Sequence, residues 1–265
     1  MHYVERAPSP RLRGRLTYWR LTGHAAESQE LEPVLPDGCV EIVVHLGDPF
    51  FHQEGGRVAL QPRVLLAGPG TAPVRLAPSG RIDVIGVRME AGVAASLLET
   101  SPVELVDRVV EPDAVAAPLV RDLAEELAEP RRGELWTDVL ERRFGGARDG
   151  DPAVDGAVAR VRASGGRVTV DELARATGLS ARQLERRFRA RVGLGPKMLA
   201  RLSRFQSAWR LLTSPKAPSI AAVAARTGYY DQAHLVRDFQ QFAGAPPSRF
   251  LREEHELARR FAAGE

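Results

Sequence analysis

A chain of 265 residues, 44% apolar and 27% charged, has the composition of globular material with room for two domains. Its single cysteine, Cys39, excludes an internal disulfide framework and a four-cysteine zinc site within one chain. The N-terminus MHYVERAPSPRLRG lacks the continuous apolar core of a signal peptide, and no apolar run approaches the roughly 18–20 residues of a membrane span, so no membrane contact and a cytoplasmic, reducing setting are expected.

The net charge of +3 hides an asymmetry. Residues 167–251 hold 15 Lys+Arg against 5 Asp+Glu, a net of +10 that leaves −7 for the remainder. A basic block joined to an acidic one points to a polyanion partner, or else to a solvated arginine-rich surface; charge alone does not separate the two.

Residues 1–110 contain the β-type runs RLTYWRLTG, CVEIVVHLG, GRVAL, RVLLAG, PVRLA and RIDVIGVRM, broken by PDG, GDP, GG, GPG and PSG. Short strands at such spacing predict a sandwich or barrel. In LPDGCVEIVVHLGDP, alternation puts Val40, Ile42, Val44 and Leu46 on one face and Cys39, Glu41, Val43 and His45 on the other. From about Pro118 the period becomes helical. Leu119, Leu123 and Leu127 are followed, after EPRRG, by Leu135, Trp136, Val139, Leu140 and Phe144. This stripe, residues 118–144, serves either as a subunit contact, making a homodimer, or as a cap on the strands. GGARDGDP, residues 145–152, is the linker candidate.

Beyond the linker one unit occurs twice. Leu184, Arg186, Phe188, Gly193 and Pro196 match Leu235, Arg237, Phe239, Gly244 and Pro247, displaced by 51 residues. Upstream, Leu173-Ala174-x3-Gly178 matches Val223-Ala224-x3-Gly228. In the first unit Thr169 and Glu172 are spaced for a capping box, Gly178 suits a left-handed turn, and Ser180 suits an N-cap. Leu184 and Phe188 then face inward, and Arg182, Glu185, Arg186 and Arg189 outward. In the second unit Ala221, Val223, Ala224 and Thr227 repeat the inner face of the first helix before Gly228, with Leu235, Phe239 and Phe242 inside and Gln232, Ala233, Val236 and Arg237 outside. Two short helices across a glycine turn, the second with outward arginines, form a helix-turn-helix that lays its second helix in the major groove. The units span about 168–193 and 219–244.

Residues 152–251 resemble the C-terminal domain of the AraC/XylS family of bacterial transcription regulators. The resemblance rests on the doubled unit, the stretch GYYDQAHLVRDFQQFAGAPPSRF, and a linking helix KMLARLSRFQSAWRLL over 197–212. It implies two recognition helices in successive major-groove segments of double-stranded DNA, about one turn apart. Its base-reading positions fall on Arg182, Glu185 and Arg186, and on Gln232, Ala233, Val236 and Arg237. Arginine suits guanine, glutamine suits adenine, and Ala233 and Val236 suit a thymine methyl. Glu185 is placed either to accept from cytosine or to orient Arg182 or Arg189. Ser180, Arg189, Arg191, Lys197 and Arg201 are the phosphate candidates, while Arg204 is a candidate for internal pairing. His234 reads as packed or phosphate-touching rather than catalytic.

Residues 1–110 resemble the cupin-like β-barrels attached to many such regulators, including a PDGC-x-(E/D) segment of one subgroup. The fold class expected is α+β in two domains: 1–147 a small barrel with helices, and 152–265 an all-α double helix-turn-helix. The function expected is a DNA-binding regulator controlled by an unidentified small-molecule effector, with a contact to RNA polymerase possible for such a protein. Tyr18, Trp19, Glu41 and His45 are the effector-pocket candidates. The competing reading is a metal-dependent cupin-type enzyme fused to a nucleic-acid-binding module. His24, Glu41, His45 and His52 supply ligand types, but there is no His-x-His pair. No cofactor, metal or catalytic residue is assigned. GPGTAP lacks the lysine of a phosphate loop, and a lone Cys39 in a strand reads as packing ahead of a redox switch.

Overall fold

Alternating side chains in the first half build two antiparallel sheets. The computed structural model describes residues 1–26, 30–54, 56–98, 100–111, 119–146, 150–253 and 255–263. The strands are β1 (His2–Arg6), β2 (Leu16–His24), β3 (Glu32–Val34), β4 (Val40–His45), β5 (Phe51–Glu54), β6 (Arg57–Leu60), β7 (Val64–Ala67), β8 (Val74–Ala77), β9 (Arg81–Met89) and β10 (Val109–Val110). One sheet runs β1-β2-β9-β4-β7-β10 and the other β3-β8-β5-β6. The two share a cluster of Tyr3, Trp19, Leu21, Phe50, Ile82 and Val84. Trp19 lies opposite Gly86 across the β2–β9 ladder. A Cβ on that glycine would lie 2.0 Å from the indole, so Gly86 is what admits the ring.

The outer face of the six-stranded sheet carries Tyr18, Val40, Ile42, Val44, Ile85 and Val87. Helices α1 (Ala94–Leu97), α2 (Leu123–Ala128) and α3 (Trp136–Phe144) cover it. Leu123, Leu127, Val139, Leu140 and Phe144 are buried there. Most of the leucine stripe is thus a cap on the strands, while Leu135 stays 64% exposed and Leu119 and Trp136 half-buried. Covering an apolar sheet face is worth about 25 cal/mol per Å², which favours this inward docking. Pro118 and the middle of the linker candidate, 147–149, lie outside the described residues.

The second half is helical: α4 (Pro152–Ala163), α5 (Val170–Thr177), α6 (Ala181–Val192), α7 (Pro196–Leu212), α8 (Ile220–Thr227), α9 (Gln232–Ala243), α10 (Pro247–Phe250) and α11 (Glu256–Ala263). Local chemistry sets the boundaries. Thr169 and Glu172 form the reciprocal capping box, with Thr169 N–H donating to Glu172 at 2.7 Å and Glu172 N–H to Thr169 at 3.2 Å. Gly178 and Gly228 end α5 and α8 at φ 68° and 80°. Ser180 caps α6, and Asp231 caps α9 by accepting the His234 N–H at 2.6 Å. In α7, Leu199, Leu202, Phe205, Ala208, Trp209 and Leu212 are buried, with Phe205 edge-on to Phe239 at 5.2 Å. Both helix-turn-helix units therefore rest on one shared helix.

The halves meet along a seam. Leu35 and Ala91 are buried in the helical cluster. Gly38, at φ 80°, seats the Pro36–Cys39 turn against α7, where a Cβ would lie 2.7 Å from Leu199. Gln206 donates to the Pro36 carbonyl at 2.7 Å, and Arg162 pairs with Glu90 at 3.3 Å. The C-terminal end of α6 is also docked. A Cβ on Gly193 would lie 2.6 Å from the Pro102 carbonyl oxygen.

Candidate nucleic-acid interface

The first recognition helix, α6, buries Leu184, Phe188 and Val192. The same turns leave Arg182, Arg186 and Arg189 exposed and Glu185 half-exposed. Arg182 and Arg186 are four residues apart, hence on one face. Glu185 is engaged by Arg189 at 2.7 Å, which answers which arginine it orients in the free protein.

In α9, Leu235, Asp238, Phe239 and Phe242 are buried, whereas Gln232, Ala233 and Arg237 are exposed and Val236 is half-buried. Ala233 and Arg237 again share a face at four-residue spacing, as do Gln232 and Val236. His234 stands edge-on to Tyr229 at 5.1 Å and is packed. Tyr230, in the turn before α9, is 94% exposed. The two tyrosines of GYY are alike in sequence, and only the fold separates buried Tyr229 from exposed Tyr230.

The phosphate candidates divide. Ser180, Arg189 and Lys197 are exposed beside the first unit. Arg201 is not a free surface cation. It pairs with buried Asp238 at 2.6 Å, donates to Gln241 at 2.7 Å and lies 5.1 Å from the Phe242 ring centre. A buried carboxylate on α9 needs this counter-ion, so Arg201 clamps α7 to α9. Arg191 is half-buried and, with Asp155, lines a hollow at the seam. Arg204 pairs internally as expected, donating to the Gly166 carbonyl at 3.0 Å.

The four effector-pocket candidates do not line one pocket. Tyr18 faces the capping helices and donates to Glu141 at 3.3 Å. Its neighbour Trp19 faces the other way and fills the inter-sheet cluster. His45 is buried, bonded to Gln61 at 3.1 Å and 5.4 Å from the Phe50 ring. Burial pushes its pKa down to about 4, so the ring is neutral. Glu41 alone borders a cavity, of about 350 Å³, at the seam. Arg88, at 2.6 Å, holds it together with Asp37 at 3.3 Å and Glu5 at 3.4 Å. Cys39 and Asp37 border the cavity from the sheets, and Arg162, Ser203, Gln206 and Arg210 from the helices. Burial pushes the Cys39 thiol up, away from the thiolate a redox switch uses. Among the described residues no group of three or more His, Cys, Asp or Glu is placed to hold a metal, and no helix is long and apolar enough to cross a membrane. His24, Glu41, His45 and His52 form no such group.

A family model described as a helix-turn-helix domain matches residues 173–253, and one described as a domain of unknown function (DUF6597) matches residues 4–111. The chain is similar in fold to ToxT from Vibrio cholerae, with 12% identity over 88% of this chain and 97% of that one and a TM-score of 0.51. A probable AraC family transcriptional regulator from Rhodopseudomonas palustris is 28% identical over 38% of this chain and 96% of that one, with a TM-score of 0.35. No curated protein matches the chain. The helix-turn-helix match and the likeness to ToxT agree on one architecture, a sheet domain followed by doubled helix-turn-helix units.

Proposed function

We propose that the protein reads a specific DNA sequence with the exposed faces of α6 and α9, and that a small molecule taken up by its first half adjusts that reading. Arg182, Glu185 and Arg186 contact bases in one major-groove segment, and Gln232, Ala233, Val236 and Arg237 in the next. Ser180, Arg189 and Lys197 contact phosphate, joined by the exposed Tyr230. The observation that carries this is the repeated one: each unit buries Leu and Phe and leaves an arginine at the same place on its outer face. Those faces stay open although the far ends of both helices approach the first half, α6 at Pro102 and α9 through Gln241, 3.5 Å from the Thr71 carbonyl.

Effector control is supported by the extent of the seam, because a site touching both halves biases how they sit. The same reading places the protein in the cytoplasm, where its DNA is. Homodimerisation and a contact with RNA polymerase gain no residue from the geometry. The enzyme reading gains none either, since the carboxylates at the seam are matched by arginines.

Mapping bound sites across the genome and measuring affinity for single-base variants of the recovered site tests the reading. Arg186→Ala and Arg237→Ala are each expected to lose about 1–3 kcal/mol and to relax preference at one base pair. Arg201→Ala is expected instead to lower thermal stability, by roughly 3 kcal/mol, because it strands Asp238. Uniform weakening at every base pair in the first two variants would falsify the assignment of readers.

A further inference from the structure

The last helix crosses from one half of the molecule into the other. α11 follows α10 in the helical half, yet Leu257 is fully buried in the inter-sheet cluster with Tyr3, Trp19, Leu21, Phe50, Ile82 and Val84. Its backbone N–H donates to the Glu32 carboxylate of β3 at 2.8 Å. The next residue, Ala258, is buried in the helical cluster instead and borders the seam cavity. Adjacent residues of one turn thus belong to two cores. Val34 both borders that cavity and packs on the inter-sheet cluster, so the cavity adjoins the seat of Leu257.

A helix of eight residues has little stability of its own and depends on what its side chains reach. The seat has a definite chemistry. Its walls are aromatic and aliphatic, its occupant is a branched four-carbon side chain, and at the rim the Glu32 carboxylate accepts the backbone N–H groups of Leu257 and Glu256. An exposed ion pair from the Met1 ammonium to Glu256, at 3.4 Å, adds little.

We propose that Leu257 is an exchangeable plug. The effector, in this assignment, is a small molecule with a branched aliphatic or aromatic end and an adjacent N–H donor, an amine or amide, which takes the Leu257 seat and donates to Glu32. This rests on the effector-control reading above and gives it a site and a ligand class. Ligand and plug exclude each other, so binding releases α11 from the sheets and loosens the seam. The barrel-interior pocket expected from sequence is then already occupied, by the chain itself.

The test uses the full chain and 3-methylbutylamine, which carries a leucine-like end beside an ammonium, with 3-methylbutanoate as the control that Glu32 repels. Calorimetry is expected to give at least tenfold tighter amine binding to Leu257→Ser than to the unaltered chain. Adding Glu32→Gln is expected to remove that gain, and 3-methylbutanoate to bind neither chain. Hydrogen exchange on the unaltered chain, at saturating amine, is expected to speed at least tenfold at residues 256–259, and this arm decides the matter where Leu257→Ser does not fold. Unchanged exchange at those amides overturns the proposal, as does equal binding of amine and carboxylate. Faster exchange with an unchanged affinity for the mapped DNA site leaves the seat standing and overturns effector control. Unchanged exchange with an amine-dependent DNA affinity does the reverse.

Discussion

His45 and Arg201 both sit in places where polar side chains are costly, and each resolves the cost differently. Arg201 keeps its charge and takes Asp238 as partner. His45 gives up its charge, bonds Gln61 and packs beside Phe50. Its folded pKa of about 4 lies below the ordinary 6.5. The unfolded chain therefore binds the proton more readily, and stability falls as pH drops from about 6.5 to 4, by an amount on the order of 3 kcal/mol. Urea unfolding at pH 7.5 and pH 4.5 is expected to show a loss that His45→Gln largely removes. A loss of equal size in that variant would assign the acid sensitivity to other groups. Neither partner was visible in the sequence. Asp238 lies 37 residues beyond Arg201, and nothing in DFQQF distinguishes it from a solvated acid.

At the scale of elements the sequence was most readable where backbone chemistry is local. The capping box at Thr169 and Glu172, the N-cap at Ser180 and the glycine ends of α5 and α8 need only neighbours within a turn, and all appear in the expected places. The linking helix starts at Pro196, one residue before the expected Lys197. Strands β1, β3, β5 and β10 were not singled out. Each has at most five residues, too few to show a period, and β3 and β10 owe their form to partner strands distant in sequence. Ala221, expected inside, is exposed, because α8 begins at Ile220 and its first turn stands clear of the core. Gly178 gives a clean test of the turn. A Cβ there meets nothing within 4 Å, so its φ of 68° is the whole obstacle. Gly178→Asn is expected to cost under about 1 kcal/mol and Gly178→Val about 2 kcal/mol or more in thermal unfolding. Equal costs would mean that crowding rather than backbone strain sets the requirement.

For the whole molecule, what the sequence hid was the contact between halves. LPDGC is recognisable as a turn before a strand, but its role as the piece that enters the helical core depends on α7, some 160 residues away. No periodicity links the two. The same remoteness misplaced the effector-pocket candidates. Alternation along β2 is enough to separate Tyr18 from Trp19, whereas the filling of the inter-sheet space by Trp19, Phe50 and Leu257 required Gly86 and the last helix. Gly38→Val is expected to separate the halves, since both its φ of 80° and the nearness of Leu199 oppose a side chain. Solution scattering is expected to give a larger radius of gyration, with DNA affinity changed at least threefold. An unaltered radius with unaltered affinity would show that the turn is not a coupling point.

That turn presses on the one rod from which both DNA-facing wings are hung. A push delivered there does not select one wing over the other; it alters the pitch between them. On the reading proposed above, what an effector tunes is the preferred gap between two short words on the duplex, so its action is best sought among promoters whose words are identical and whose intervening base pairs differ by one or two.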